Sequence, residues 1–361
     1  RNAWGNGNVS IFAMGTESLP GSESRWPRRF ALLLVCLTFP LIWVGGLVTT
    51  TRAGMAVPDY PTSFGYNMFL YPLDWWWSGP WDVFVEHGHR LFGIVVGIVT
   101  IMLTIAIYKS PNWSHLRKAA VVALVAVIMQ GLLGGLRVEL NARSLAMIHG
   151  CTGPAFFAFA IVLAMWTSEK WQNPVGEMTA NVICDIAPQL SRIKGLAILT
   201  SVLVYCQLIL GATVRHMPVM AKPQTMKTFV FFHIFVAFAL AGHIAMLWLR
   251  THRQRELPAW IRRPARWLAI LVLLQLVMGI TTWVTKWNWP MGIGDLSRTT
   301  ADYTVTEGSM IQSIVVTAHV AIGSLLVGIS VLISTRLWKL SHEFSLVESG
   351  VTTTQLETES S

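Results

Sequence analysis

Four histidines carry the candidate chemistry of this chain. His89, His149, His233 and His319 each fall near one end of an apolar run, on the second, fourth, sixth and eighth of eight such runs. An ionisable side chain inside a membrane span is costly and marks a functional candidate. Any one alone reads as a packing residue, whereas four at one depth, on every even run and no odd one, form a layer. Neutral imidazole is a good ligand for iron, copper or zinc. Zinc and copper centres ordinarily bring thiolates or carboxylates, while two imidazoles on facing helices suit the axial positions of a haem, whose flat apolar ring fills a four-helix bundle. Pairing His89 with His149 and His233 with His319 predicts two haem sites near one membrane surface. Gly93, Gly97, Gly150, Gly153 and Gly323 lie beside these histidines, where small residues allow helix and macrocycle to approach closely.

The two pairs are not equivalent. In Glu86-His87-Gly88-His89-Arg90, Glu86 precedes His89 by three residues and so shares its helix face, roughly 5 to 6 Å away. No carboxylate stands at that spacing before His233 or His319. A carboxylate there can relay a proton or stabilise a developing cation, or simply complement a helix N-terminus; spacing leaves both readings open. Arg90, Arg137 and Arg215, at helix ends, read either as interface anchors or as partners of haem propionates. The segment from Thr51 to Val85 is long and aromatic, from Tyr60 through Trp75, Trp76, Trp77 and Trp81, and reads as a cap over the first site or as an aromatic belt.

The elements that position these residues follow from composition. The chain is 53% apolar and 12% charged, where about 25% charged is usual for a soluble domain. A bilayer core needs roughly 20 apolar residues per helix. Eight runs qualify: Phe30 to Thr50, Leu91 to Tyr108, Ala119 to Leu136, Leu145 to Met165, Gly195 to Val214, Thr228 to Leu249, Trp267 to Val284, and Ser313 to Leu337. The net charge of +9 is a topology signal, because 18 of the 27 lysines and arginines fall in the segments that are inner if the N-terminus is inside. Both termini are then expected on the inner side, and nucleic-acid binding is excluded as the reading of the basic balance. Cys36, Cys151, Cys184 and Cys206 have no metal-ligand or disulfide spacing.

The halves repeat. Gly45-Gly46-Leu47-Val48 closes the first run and Gly211-Ala212-Thr213-Val214-Arg215 the fifth, while Gln130, Gln207 and Gln275 each stand four residues before a glycine on the third, fifth and seventh. The expected fold is an all-α integral membrane protein, with eight transmembrane helices forming two tandem pseudo-symmetric four-helix bundles. The expected divisions are an inner tail over 1–29, a first half over 30–166, an inner linker over 167–194, a second half over 195–340, and an inner tail over 341–361. The composition of both tails predicts disorder.

The residues quoted above, together with Gly54-Met55-Ala56-Val57-Pro58-Asp59-Tyr60-Pro61, Glu86-x-x-His89-Arg90 and Gln130-Gly131-Leu132-Leu133-Gly134-Gly135, resemble the haem A synthase family over about residues 30 to 340. The resemblance implies an oxidoreductase that converts a methyl group of haem O to the formyl group of haem A. It implies a substrate haem held by His89 and His149 with Glu86 assisting, and a haem b ligated by His233 and His319 in the second half, with Arg90 and Arg215 at the cofactors. It also implies haem O synthase and an electron donor as partners, within a lipid bilayer, with assembly of identical copies left open. A bacterial plasma membrane is the expected location, with the mitochondrial inner membrane as the alternative. Three positions depart from the family pattern. Pro61-Thr62-Ser63-Phe64-Gly65 stands where many members carry a loop cysteine, Thr49 stands at an arginine position with Arg52 three residues later, and His87 adds an imidazole that could serve as an alternative ligand. The competing reading is a two-haem, b-type electron carrier or quinol-oxidising cytochrome subunit, which needs four histidines but no Glu86. A tandem-repeat transporter leaves the histidine layer unexplained.

Overall fold

The computed structural model of the chain describes residues 25–172, 174, 180–218, 220–287 and 309–348. Eight long helices dominate: α1 Trp26–Thr50, α2 Trp81–Lys109, α3 Arg117–Glu139, α4 Arg143–Trp166, α5 Ala180–Arg215, α6 Pro223–Arg253, α7 Ala259–Trp287 and α8 Met310–Glu348. Each contains a segment long and apolar enough to cross a membrane. In lipid a backbone must satisfy its own hydrogen bonds, so an apolar run of this length has to be helical. Polar residues inside the spans obey the same rule. The hydroxyls of Thr38, Thr100, Thr200 and Thr251 each donate to the carbonyl four residues back. Prolines sit in the first turn of α1 and α6, where the missing N–H costs nothing.

Helix contacts close two rings. α1 packs on α2 and α4, with α3 between α2 and α4; α5 packs on α6 and α8, with α7 between α6 and α8. The rings meet where α8 lies against α1 and α4, and α4 against α5. Each ring has its own apolar core. Leu34, Leu103, Ile107 and Leu163 anchor the first, and Ile244, Ile261, Leu268 and Ile333 the second. Large apolar side chains such as Val95, Ile98, Ile105, Val122, Leu273 and Val277 point outward, as a lipid-facing surface requires. These features are those of a multi-pass integral membrane protein.

α5 and α8 run well past the divisions expected for them. α5 begins at Ala180 rather than Gly195, inside the expected linker, and α8 continues to Glu348, into the expected tail. The cause is amphipathic spacing. Ile186, Leu190 and Ile193 on α5, and Leu337, Leu340 and Phe344 on α8, repeat at intervals of three and four and are buried in the second core. The polar residues between them dilute the hydropathy without breaking the helix. Residues 1–24 and 349–361 of the expected tails lie outside the described residues, as do 288–308 between α7 and α8.

Candidate functional site

All four histidines meet at the same end of the helices, in the pairs that their positions predict. The rings of His89 on α2 and His149 on α4 have centroids 6.4 Å apart at an interplanar angle of 84°. Those of His233 on α6 and His319 on α8 are 6.3 Å apart at 78°. Two imidazoles facing each other across one metal, each through a nitrogen bond of about 2.1 Å, would hold their centroids roughly 6 to 6.5 Å apart, and both pairs have that spacing.

Each ring is seated by a glycine on the preceding odd helix. A Cβ on Gly45 would lie 2.8 Å from Cε1 of His89, on Gly134 3.4 Å from that of His149, on Gly211 3.0 Å from that of His233, and on Gly279 3.3 Å from that of His319. This one contact, made four times, explains the recurring glycines. The glutamine four residues before that glycine also reaches two of the rings: the Gln207 amide nitrogen stands at His233, and that of Gln275 lies 3.5 Å from His319 Nε2. Leu41 holds the equivalent place before Gly45. The Gln207 amide further donates to the His233 carbonyl at 2.8 Å and lies 3.0 Å from its Nδ1.

The imidazole donors of both sites suit a haem, and the first site has open space beside them. The Nδ1 atoms of His89, His149 and His319 are buried without a hydrogen-bond partner. One turn beyond each histidine stands a small residue, Gly93, Gly153, Ala237 and Gly323. A Cβ on Gly93, Gly97 or Gly153 would meet nothing within 4 Å, which leaves room for a flat group. Gly150 and Gly323 are closer to protein, at 3.9 Å from His216 Nε2 and 3.3 Å from Gln275 Nε2. Among the described residues no three His, Cys, Asp or Glu side chains cluster into a protein-only metal cage. Cys36, Cys151 and Cys206 are free thiols, and Cys184 has a side chain outside the described residues.

Glu86 is buried and bound on three sides. It accepts from Val57 N at 2.9 Å and from Arg90 Nη2 at 3.1 Å, and its Oε1 lies 3.5 Å from Arg137 Nη2. Neither sequence reading anticipated this. Placed in the second turn of α2, it is the hub of a clamp on the segment between α1 and α2. Arg90 donates to the carbonyls of Val57, Asp59 and Thr62, and Arg137 to that of Gly54. Glu139 accepts from Tyr60 N, and the Tyr60 ring lies where a Cβ of Gly135 would be. Beyond the clamp a short hairpin pairs Thr62–Ser63 with Tyr66–Asn67. Its turn residues Phe64 and Gly65 both have positive φ, and the Asp59 carboxylate accepts from both their amides. Burial pushes the Asp59 pKa up, but these bonds and one from Thr62 outweigh it and hold the acid below its usual value.

Two of the three family departures turn out to be one contact. Ser63, at the loop-cysteine stretch, lies 3.0 Å from His87 Nδ1 with both residues buried. The His87 ring also packs against Tyr71 and Trp76. His87 therefore faces the loop, where it forms part of the loop's packing. Arg215 reaches from α5 to α1, donating to the Gly46 carbonyl and Thr50 hydroxyl at 2.7 and 2.6 Å. His216, just past the α5 span, has its pKa lowered to about 4 by burial and by Arg215, Arg137 and Arg143. The unfolded chain would take up a proton near 6.5, whereas the folded chain resists it, so this group's stabilisation is complete above pH 6.5 and lost as pH falls toward 4. Thermal midpoints of purified protein should therefore drop across that window, and less steeply in His216→Gln; equal slopes would mean that another group controls it.

A family model described as cytochrome oxidase assembly protein, COX15-CtaA, matches residues 81–294, more than half of the chain. The chain belongs to this family. The COX15-CtaA match takes in α2 to α7, with His89, His149 and His233; His319 lies beyond it. The heme A synthase of Shouchella clausii (strain KSM-K16) is 30% identical over 178 residues, covering 48% of this chain and 53% of that protein. Heme A synthases of Brucella ovis and Brucella abortus are 27% identical over 152 residues, 40% of this chain and 41% of theirs. The chain spans about half the length of the curated relatives it matches. No solved structure matches it.

Proposed function

We propose that this chain is a haem A synthase: an oxidoreductase that takes haem O between His89 and His149, oxidises one methyl group by successive hydroxylation to the formyl of haem A, and keeps a haem b between His233 and His319. The observation that carries the reading is the pair of imidazole pairs at ligand spacing, the first of them beside open, glycine-lined space. When bound, haem b would supply one-electron redox chemistry. His89 and His149 orient the substrate, while His233 and His319, each beside a glutamine side-chain amide, hold the resident group. The clamped segment over the first half excludes water from that site. Glu86 keeps Arg90 and Arg137 in place at its rim, and the resulting charge lies one helical turn from His89. Arg90 and Arg215 spend their donors on backbone carbonyls, the Glu86 carboxylate and the Thr50 hydroxyl, so their part at the cofactors is to fix the helix ends around them. Haem O synthase and an electron donor are the expected partners, in an energy-conserving membrane, with both termini inside.

The test is to purify the full chain from cells that make haem O, extract its haems in acid acetone and identify them by mass spectrometry. Haem b with haem O, its hydroxylated form or haem A supports the reading. Haem b alone at both sites, with supplied haem O unconverted, would instead favour the electron carrier that paired histidines also suit.

A further inference from the structure

The last turn of α1 faces both sites at once. Gly45 lies against His89. Gly46, the next residue and about 100° further round the helix, lies against α8, where a Cβ would come within 2.8 Å of Thr317 Cγ2. Thr317 is fully buried and two residues before His319. Its hydroxyl meets Thr50 Oγ1 at 3.1 Å, while Thr50 itself donates to the Gly46 carbonyl at 2.7 Å. Arg215, the last residue of α5, donates to both Gly46 O and Thr50 Oγ1. One helical turn of the first half is thus bonded to two helices of the second. A glycine backbone has no rotamer with which to absorb a displacement, and packed interiors transmit strain.

We propose that Gly46, Thr50, Thr317 and Arg215 are positioning residues that fix His89 relative to His319, so that a displacement at one histidine pair is passed to the other. The inference rests on the reading of both pairs as haem ligands. A methyl added at Gly46 must push α1 and α8 apart, and because Gly45 already touches His89, that ring must tilt as well.

The test uses the full chain with the haems it carries and reads the low-spin electron paramagnetic resonance signals. His89→Ala and His319→Ala assign each signal to its pair. Gly46→Ala is expected to shift both signals. Adding Thr317→Ser, which removes the methyl in the way, is expected to restore both. Thr50→Val keeps the shape but removes the strap's hydroxyl, and it should shift both signals by less; if Gly46→Ala fails to fold, Thr50→Val decides alone. A change confined to the His233–His319 signal, or no change in either, would overturn the coupling. A wild-type chain that carries no haem would overturn the function reading and the coupling together, so haem content separates the two failures.

Discussion

Glu86→Ala is expected to destabilise the folded protein by about 3–5 kcal/mol, the cost of removing one partner from a buried ion pair. The side chain is 3% exposed and faces two guanidinium groups. Without it Arg90 and Arg137 are left with carbonyl partners but no counter-charge, and the buried Val57 amide loses its acceptor. Thermal unfolding in detergent should show the loss, and limited proteolysis should open the segment between Thr51 and Pro80. Glu86→Gln, which keeps an acceptor in place, should cost less and keep the segment protected. An alanine variant as stable and as protease-resistant as the parent would show that the arginines hold the segment without it. In the proposed reaction the alanine variant should bind haem yet form no haem A; full activity would remove Glu86 from the mechanism.

Replacing His319 by alanine is expected to halve the haem bound per chain, about the loss of one of two bis-imidazole sites, and His89→Ala should do the same at the other pair. Because the rings of the two pairs belong to separate four-helix rings, each variant should keep the haem of the untouched pair. The pyridine haemochrome assay measures both losses. Unchanged haem content in either variant would strike that histidine from the ligand set.

The eight spans were legible because each is an unbroken apolar run, which in lipid has only one backbone solution. The first turns of α5 and the last of α8 were not, since their apolar residues are spaced for one face and interleaved with charge. The histidines stood out by type and depth, and the recurring glycines by their offset from glutamine. What the glycines touch could not be read from the sequence, because a glycine contact has no side chain to announce it. The clamp around Glu86 was hidden for a similar reason. Its arginines were visible as helix-end residues, but most of their acceptors are main-chain carbonyls, and Glu86 and Arg137 sit 51 positions apart on different helices. The contact between Ser63 and His87 was likewise present as two separate oddities.

That grip on carbonyls holds the segment between α1 and α2 by atoms that every residue carries. Arg90 would find the same oxygen atoms whatever stood at positions 57, 59 or 62, so what the side chains there decide is something else: the burial of Val57 and the bonds from the Phe64 and Gly65 amides to Asp59. At Gly54 even a methyl group is too much, since the Arg137 guanidinium occupies the space that its Cβ would need.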